Sequence, residues 1–414
     1  MNLSDKVVRI YGYGLFECFM ALRLKEEFGK VELFVPYKGS YPTPIKTLIG
    51  EGLPGVVKVD NFFRDINKVD LFCFFDVGDG DIQDYLRSNG KRVFGTGKGD
   101  ALEYDRVGFK KVLEKVGLPV APYKVVKGIL ELKKELEKDE NKGKWVKVST
   151  FRGICETFQS KGIKYAQPKL DVMATKLGAF RNEQEFIIED SIPGVEIGTD
   201  CFLSNGEMLD LVTFGVENKD KSYVCKVIGK DKLSSAIKEV DDALDPIYKK
   251  LKISGMISSE VRIGSDKKPY FIDFCSRAGS PPSELICELY SNFAEIVWAV
   301  GGGEKIDPKV ITQGGKEVKY AAEVLIKSEM AMTEWTPLDF KEKDLKLLKF
   351  RNLCKVNGQY YYIPQDGGSI IGAAIGFGET AKEAQTAALK NCELLECEES
   401  HYDTSAFDEM DKAL

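Results

Sequence analysis

The chain opens on an apolar run, Val7 to Tyr11, that gives way to Gly12-Tyr13-Gly14, then to a helical spacing through Phe28, then to a second apolar run, Val31 to Val35. Short apolar runs bounded by glycine and polar clusters read as buried strands. VDLFCFFD and KRVFG supply two more, so strand, turn and helix alternate up to residue 97, as in a small parallel α/β domain. Gly12-x-Gly14 puts Glu17 where a dinucleotide fingerprint has its third glycine, and the stretch reads as a tight strand-to-helix turn.

DALEYDRVGFKKVLEKVGLP reads as one helix, with Asp100 and Glu103 as a capping box and Gly117 ending it ahead of Pro119. Its apolar stripe, Leu102, Phe109, Val112, Leu113 and Val116, also contains Arg106. That side chain either snorkels outward or carries its charge to an anion inside. A charged helix (ILELKKELEKDE) follows, then a strand (WVKVS) in which Lys147 points opposite to Val146 and Val148. A further strand (EFIIED) is stopped by Ser191-Ile192-Pro193-Gly194, leaving Glu189 at its end and Glu196 beyond the turn. Residues 236–251 form an amphipathic helix, and PPSELICELYSNFAEIVWAV reads as another. After Gly315 the runs YAAEVLI, QYYYIP and SIIGAAIGF, and a helix capped by Thr380 with Glu383, indicate a small α+β module. The expected class is therefore α/β and α+β multidomain, divided at 1–97, 98–187, 188–312 and 313–414.

Between the helix at 236–251 and PPSELICELYSNFAEIVWAV lies a hairpin whose second strand, FIDFCSRAG, carries Asp273 among bulky apolar residues. A turn centred on Asp266-Lys267 sets Glu260 opposite Asp273 and Ser258 opposite Cys275; a one-residue shift of that turn would break the pairing. Opposed carboxylates destabilise a ladder. Two readings remain: a solvated face screened by a nearby lysine, or a bound cation, for which hard oxygen ligands favour Mg²⁺ bridging to nucleotide phosphates.

Composition narrows the chemistry. With 414 residues, 43% hydrophobic and 30% charged, the chain has ample core for about three domains. A net charge of -6 gives no field that favours nucleic acid or an anionic membrane. No apolar run reaches the length of a membrane span, and MNLSDKVVRI lacks a signal-peptide layout, so a cytoplasmic setting is expected. Ten cysteines without a C-x-x-C pair read as reduced, mostly buried thiols. His401 is the sole histidine, which argues against imidazole metal sites and against Ser-His or Cys-His catalysis. Carboxylates, lysines, arginines and backbone dipoles are left to carry any reaction.

Taken in order, Arg106, Lys147, Glu189, Glu196, Glu260, Asp273 and Arg277 resemble the ATP-site residues of the ATP-grasp superfamily, and the chain looks most like phosphoribosylamine-glycine ligase. KRVFGTGKGDALEYDRVGFKKVLEKVGLPVAPY is similar to that family's passage into its ATP domain, and PYFIDFCSRAGSPP to its E-F-N-x-R-x-G-D-P-E segment; the match runs over roughly residues 5–300. The resemblance implies an ATP-grasp fold with a Rossmann-like N-terminal domain and a small C-terminal module. It also implies ATP with Mg²⁺, or Mn²⁺ in its place, and a reaction joining a carboxylate to an amine through an acyl phosphate. Lys147, Arg106 and Gly153 would meet the phosphates, Glu189 the adenine hinge and Glu196 the ribose. Glu260 and Asp273 would hold the metal, and Arg277 with Arg152 would stabilise the transferred group. Partners would be small molecules only, on a monomer or homodimer.

The departures are equally concrete. Cys275 replaces the asparagine of E-x-N, Ser280 and Pro282 replace both acids of G-D-P-E, and KVSTFRGI keeps only Gly153 of the glycine-rich phosphate cover, beside Arg152. The loop DVGDGD carries Asp76, Asp79 and Asp81 in place of G-P-E-x-P-L. It is a solvated turn or a seat for a cationic, polyamine-like acceptor. Two alternatives to a ligase of its own specificity stay open: a nucleotide-binding regulator without ligase chemistry, and phosphoribosylamine-glycine ligase itself.

Overall fold

A computed structural model describes residues 1–36, 48–150, 157–194, 196–364 and 368–408. The N-terminal sheet is parallel, with spatial order Val56–Lys58, Lys30–Phe34, Val7–Tyr11, Leu71–Phe74, Arg92–Phe94. The chain order reverses across the central pair, so the loops leaving Val7–Tyr11 and Leu71–Phe74 diverge at the carboxyl ends of their strands. Leu71–Phe74 is buried along its whole length, as its unbroken apolar run requires.

The helix expected over residues 100–117 forms as two pieces, Ala101–Tyr104 and Arg106–Lys115. The capping box at Asp100 is absent because distant partners claim both acids. Asp100 accepts from Gly78 N and Gly80 N at 2.8 and 2.9 Å and from the Thr96 hydroxyl at 2.6 Å. Glu103 accepts from Ser276 N at 2.8 Å. Asp105 caps the second piece instead, accepting from Gly108 N at 2.8 Å. The capping box at Thr380 and Glu383 does form. The apolar segment after Pro282 likewise divides, into Ser283–Leu289 and Phe293–Gly301.

A four-stranded antiparallel sheet follows, in the order Tyr123–Lys127, Glu185–Glu189, Trp145–Val148, Thr157–Gln159. Helices Ile129–Leu136 and Ile163–Leu177 cover one face of it. Leu132, Val146, Val148, Leu170 and Phe186 are fully buried there, each stabilising the unit by about 1.5–3 kcal/mol relative to exposure. Val146 and Val148 face this core, which leaves Lys147 on the opposite face.

The largest sheet runs Pro269–Cys275, Gly255–Ile263, Glu196–Ser204, Leu211–Asn218, Ser222–Gly229, Tyr320–Ser328, Ile370–Gly378, Leu348–Phe350. Its fifth and sixth strands pair directly, so the sheet continues across residue 312 into the C-terminal part of the chain. Nine cysteines among the described residues are free thiols, seven of them buried. Among the described residues no helix is long and apolar enough to cross a membrane.

Candidate active site

The hairpin of Gly255–Ile263 and Pro269–Cys275 pairs Glu260 with Asp273 and Ser258 with Cys275. Its turn is not the expected one. Past the acid pair the register slips by one residue, giving Val261–Phe271, Arg262–Tyr270 and Ile263–Pro269, and the loop closes through Lys267 N to Gly264 O at 2.9 Å. Ile272 is the extra residue, a β-bulge that absorbs the shifted turn and restores the pairing of the acids. The bulge also frees a carbonyl: Ile272 O accepts from Lys147 Nζ at 2.9 Å.

That contact joins the hairpin to the small sheet. Lys147 Nζ lies 2.9 Å from Glu189 Oε1, while Lys110 Nζ, from helix Arg106–Lys115, lies 2.6 Å from Glu189 Oε2. All three side chains are buried. Burial disfavours the Lys147 ammonium, but Asp273 and Glu189 outweigh it and raise its pKa; burial likewise works against Glu189, and the two lysines outweigh it and lower its pKa. Arg106 donates Nη1 to Val148 O at 2.8 Å and places Nη2 3.4 Å from Asp273 Oδ2.

The neighbouring strands bring more acid. Ile197 pairs with Val216, so one step along the ladder Glu196 lies beside Glu217. Carboxylate oxygens of Glu196, Glu217 and Glu260 all lie within 4.8 Å of one another. Arg262 holds Glu196 at 2.8 Å and Lys219 stands 3.6 Å from Glu217. Burial, then the carboxylates of Glu196, Asp273 and Glu217, push the Glu260 carboxyl well above its ordinary range. These groups line a cavity of about 520 Å³ together with Trp145, Lys147 and Glu189.

Oxygen ligands of an octahedral Mg²⁺ lie about 3 to 4 Å apart, and the all-oxygen donors of these carboxylates, within 4.8 Å of one another, suit a hard cation. Cys275 follows Asp273 at strand period and shares its face, half-buried.

No family model matches the sequence, and comparison with curated proteins finds no match. Solved structures do match. Phosphoribosylamine-glycine ligase of Thermotoga maritima is similar at a TM-score of 0.68 and 18% identity, over 96% of this chain and 98% of that one. The biotin carboxylase domain of Hydrogenobacter thermophilus 2-oxoglutarate carboxylase, in complex with MgADP and bicarbonate, gives 0.62 and 13% over 98% and 97%. L-amino acid ligase of Bacillus licheniformis gives 0.59 and 15% over 97% and 99%. The chain has the ATP-grasp fold.

Within that ATP-grasp architecture Lys147, Glu189, Glu196, Glu260 and Asp273 line one cleft between the small sheet and the large one, and Arg106 reaches it through Asp273. Arg277 does not line this cavity. It lies 3.0 Å from Glu103 and 3.8 Å from Asp76, with its guanidinium 5.7 Å from the Phe16 ring centroid, and so faces the N-terminal sheet. Arg152 and Gly153 lie outside the described residues. Sequence reasoning missed Lys110, Glu217 and Lys219. Lys110 had a signal, its i+4 position on the face of Arg106. Glu217 and Lys219 had none short of the register of Glu196–Ser204 against Leu211–Asn218.

Proposed function

We propose that this protein is an ATP-dependent ligase that joins a carboxylate to an amine. The observation that carries the reading is the Glu260–Asp273 pair, held opposite each other by a bulge whose free carbonyl anchors Lys147. Opposed acids with two cations beside them are what a metal triphosphate calls for. Similar structures, two of them ligases and one a biotin carboxylase domain in complex with MgADP, support the same chemistry.

In this reading Lys147 and Arg106 offset the charge of the nucleotide's phosphates, and Glu189, clamped by Lys110, fixes Lys147. Glu196 accepts from the ribose hydroxyls. Glu260 and Asp273 would hold the ion, with Glu217, whose oxygen lies within 4.8 Å of one on Glu260, as a further carboxylate beside them; bound there, a divalent ion would supply charge neutralisation for the phosphates. A carboxylate oxygen takes the γ-phosphoryl group and ADP departs. An amine nitrogen then attacks the acyl carbon, the C–O bond to phosphate breaks, and the nitrogen releases a proton. Such steps run on alignment and electrostatic stabilisation, which a chain with one histidine can supply.

The test is ADP release from MgATP with pools of carboxylates and amines, on the wild type and on Asp273→Asn. Turnover in the wild type and its loss in the variant are expected; full activity of Asp273→Asn rejects the metal assignment. ATP binding with no ADP release across a broad screen identifies a nucleotide-binding regulator instead. ADP release that requires glycine, with phosphoribosylamine generated in place, identifies phosphoribosylamine-glycine ligase.

A further inference from the structure

The cavity that holds the acids has one wall from a distant part of the chain. Glu217, Asn218 and Lys219 line it from the tip of the hairpin formed by Leu211–Asn218 and Ser222–Gly229, and Asp408 lines it beside them. The tip is short. Lys221 N closes it onto Asn218 O at 2.9 Å, Asp220 takes the left-handed region at φ 59°, and the hairpin's own ladder stops at the Asn218–Ser222 pair. That ladder leaves the residues between them without a hold.

The C-terminal segment supplies one. Ser222 pairs with Val324 on Tyr320–Ser328, and at the end of the same strand Lys327 and Ser328 pair with His401 and Ser400. Lys327 also pairs with Ile370 on its other side, so Ser400–His401 continues the row of the sheet just ahead of the hairpin. From there the segment reaches the tip. Asp403 Oδ2 lies 2.7 Å from Lys221 Nζ, and Ala406 O accepts from Ser222 Oγ at 2.7 Å and from Asn218 Nδ2 at 2.8 Å. The ion pair is half exposed and contributes little. The carbonyl carries more, because Ser222, Ala406 and Phe407 are buried and the Phe407 ring joins the main core. One of its two donors, Asn218, itself lines the cavity, so the joint places side chains of the cleft and not the turn alone.

We propose that residues 400–408 are a strap that positions the hairpin tip in the nucleotide cleft, so that seating of the strap and binding of MgATP favour each other. The inference rests on the nucleotide reading above. Glu217 and Lys219 are the tip's contributions to the cleft, the first with its oxygen within 4.8 Å of one on Glu260, and they hold their places while Ala406 and Phe407 are seated. A ligand that binds the seated form more tightly shifts the strap toward it, and unseating the strap weakens that ligand by at most the same factor.

Chymotrypsin digestion of the full chain, followed by mass spectrometry, reads the strap. Cleavage after Phe407 requires the buried ring to leave its seat and follows the population of the open form; cleavage after the exposed Phe63 is the internal reference. Saturating MgATP slows the Phe407 cut about tenfold relative to the reference. Calorimetry then gives the MgATP affinity of Phe407→Ala and Ser222→Ala. Neither residue lines the cavity, and each variant binds about fivefold more weakly, while melting in EDTA reports that it folds. Should Phe407→Ala fail to fold, Ser222→Ala and digestion of the wild type decide. Unchanged MgATP affinity in the folded variants, whatever their melting temperatures, or equal cleavage with and without MgATP overturns the proposal and leaves the segment a structural one. No heat from MgATP in the wild type removes the nucleotide reading and the strap's role together. Coupled binding with no ADP release leaves the strap standing and removes the ligase reading alone.

Discussion

Replacing Glu217 by Gln has opposite consequences for the empty and the loaded protein. Its oxygen lies within 4.8 Å of those of Glu196 and Glu260. Two unit charges at that separation repel by about 3.5 kcal/mol at an effective dielectric near 20, and Lys219 at 3.6 Å returns part of it. The balance shows in the Glu217 carboxyl, which burial pushes up to about 6 from an ordinary 4.5 despite Lys219. A carboxyl raised in the fold costs nothing below its unfolded value and destabilises as pH rises through the folded one, so at pH 8 the cost is about 2 kcal/mol. Glu217→Gln therefore melts about 2 to 4 °C above the wild type at pH 8 in EDTA, and the gain shrinks toward pH 4.5. With MgATP the order of gains reverses: the ion neutralises Glu217 together with Glu260 and Asp273 in the wild type, and the variant, one ligand short, gains less. Thermal melts with EDTA and with MgATP at pH 8 read both effects. A variant that melts at or below the wild type in EDTA, with an undiminished rise on MgATP, refutes the placement of the ion among these carboxylates.

Two more substitutions follow from the same cleft. Lys110→Met removes one of the two lysines that clamp Glu189 and leaves a buried carboxylate oxygen without its 2.6 Å partner; a loss of about 3 kcal/mol in denaturant unfolding is expected, and a loss under about 1 kcal/mol contradicts the clamp. Cys275→Asn puts an amide oxygen on the face of Asp273, where the thiol is a poor partner for a hard cation. The Mg²⁺ concentration that half-saturates the ATP-induced thermal shift then falls several-fold, and an unchanged midpoint shows that position 275 does not reach the ion.

The hairpin shows what the sequence disclosed and what it withheld. Glu260 does face Asp273, yet through a turn built one residue differently and a bulge at Ile272 that compensates. Alternation along FIDFC was enough to place the acids because only one register buries Phe271 and Phe274, and the turn yields to that demand. Local rules failed where a polar side chain is claimed from far away. Asp100 and Glu103 spell a capping box, but each gains more from buried partners, in the Gly78–Gly80 loop and at Ser276, than from a helix end open to water. Glu217 was illegible for a third reason. LVTFGVEN crosses the middle of the large sheet, buried on both faces over much of its length, so it shows no clean alternation. Its carboxylate meets Glu196 and Glu260 only through the registers of two ladders. Residues that act along one strand or one hairpin can be read from spacing; a cluster assembled across three strands becomes visible only when those ladders are in hand. Glu17 and Asp76 belong to this second kind, since one opens the helix Glu17–Leu24 and the other stands on a loop 59 positions further along the chain, and they come near each other only because Val7–Tyr11 and Leu71–Phe74 lie side by side.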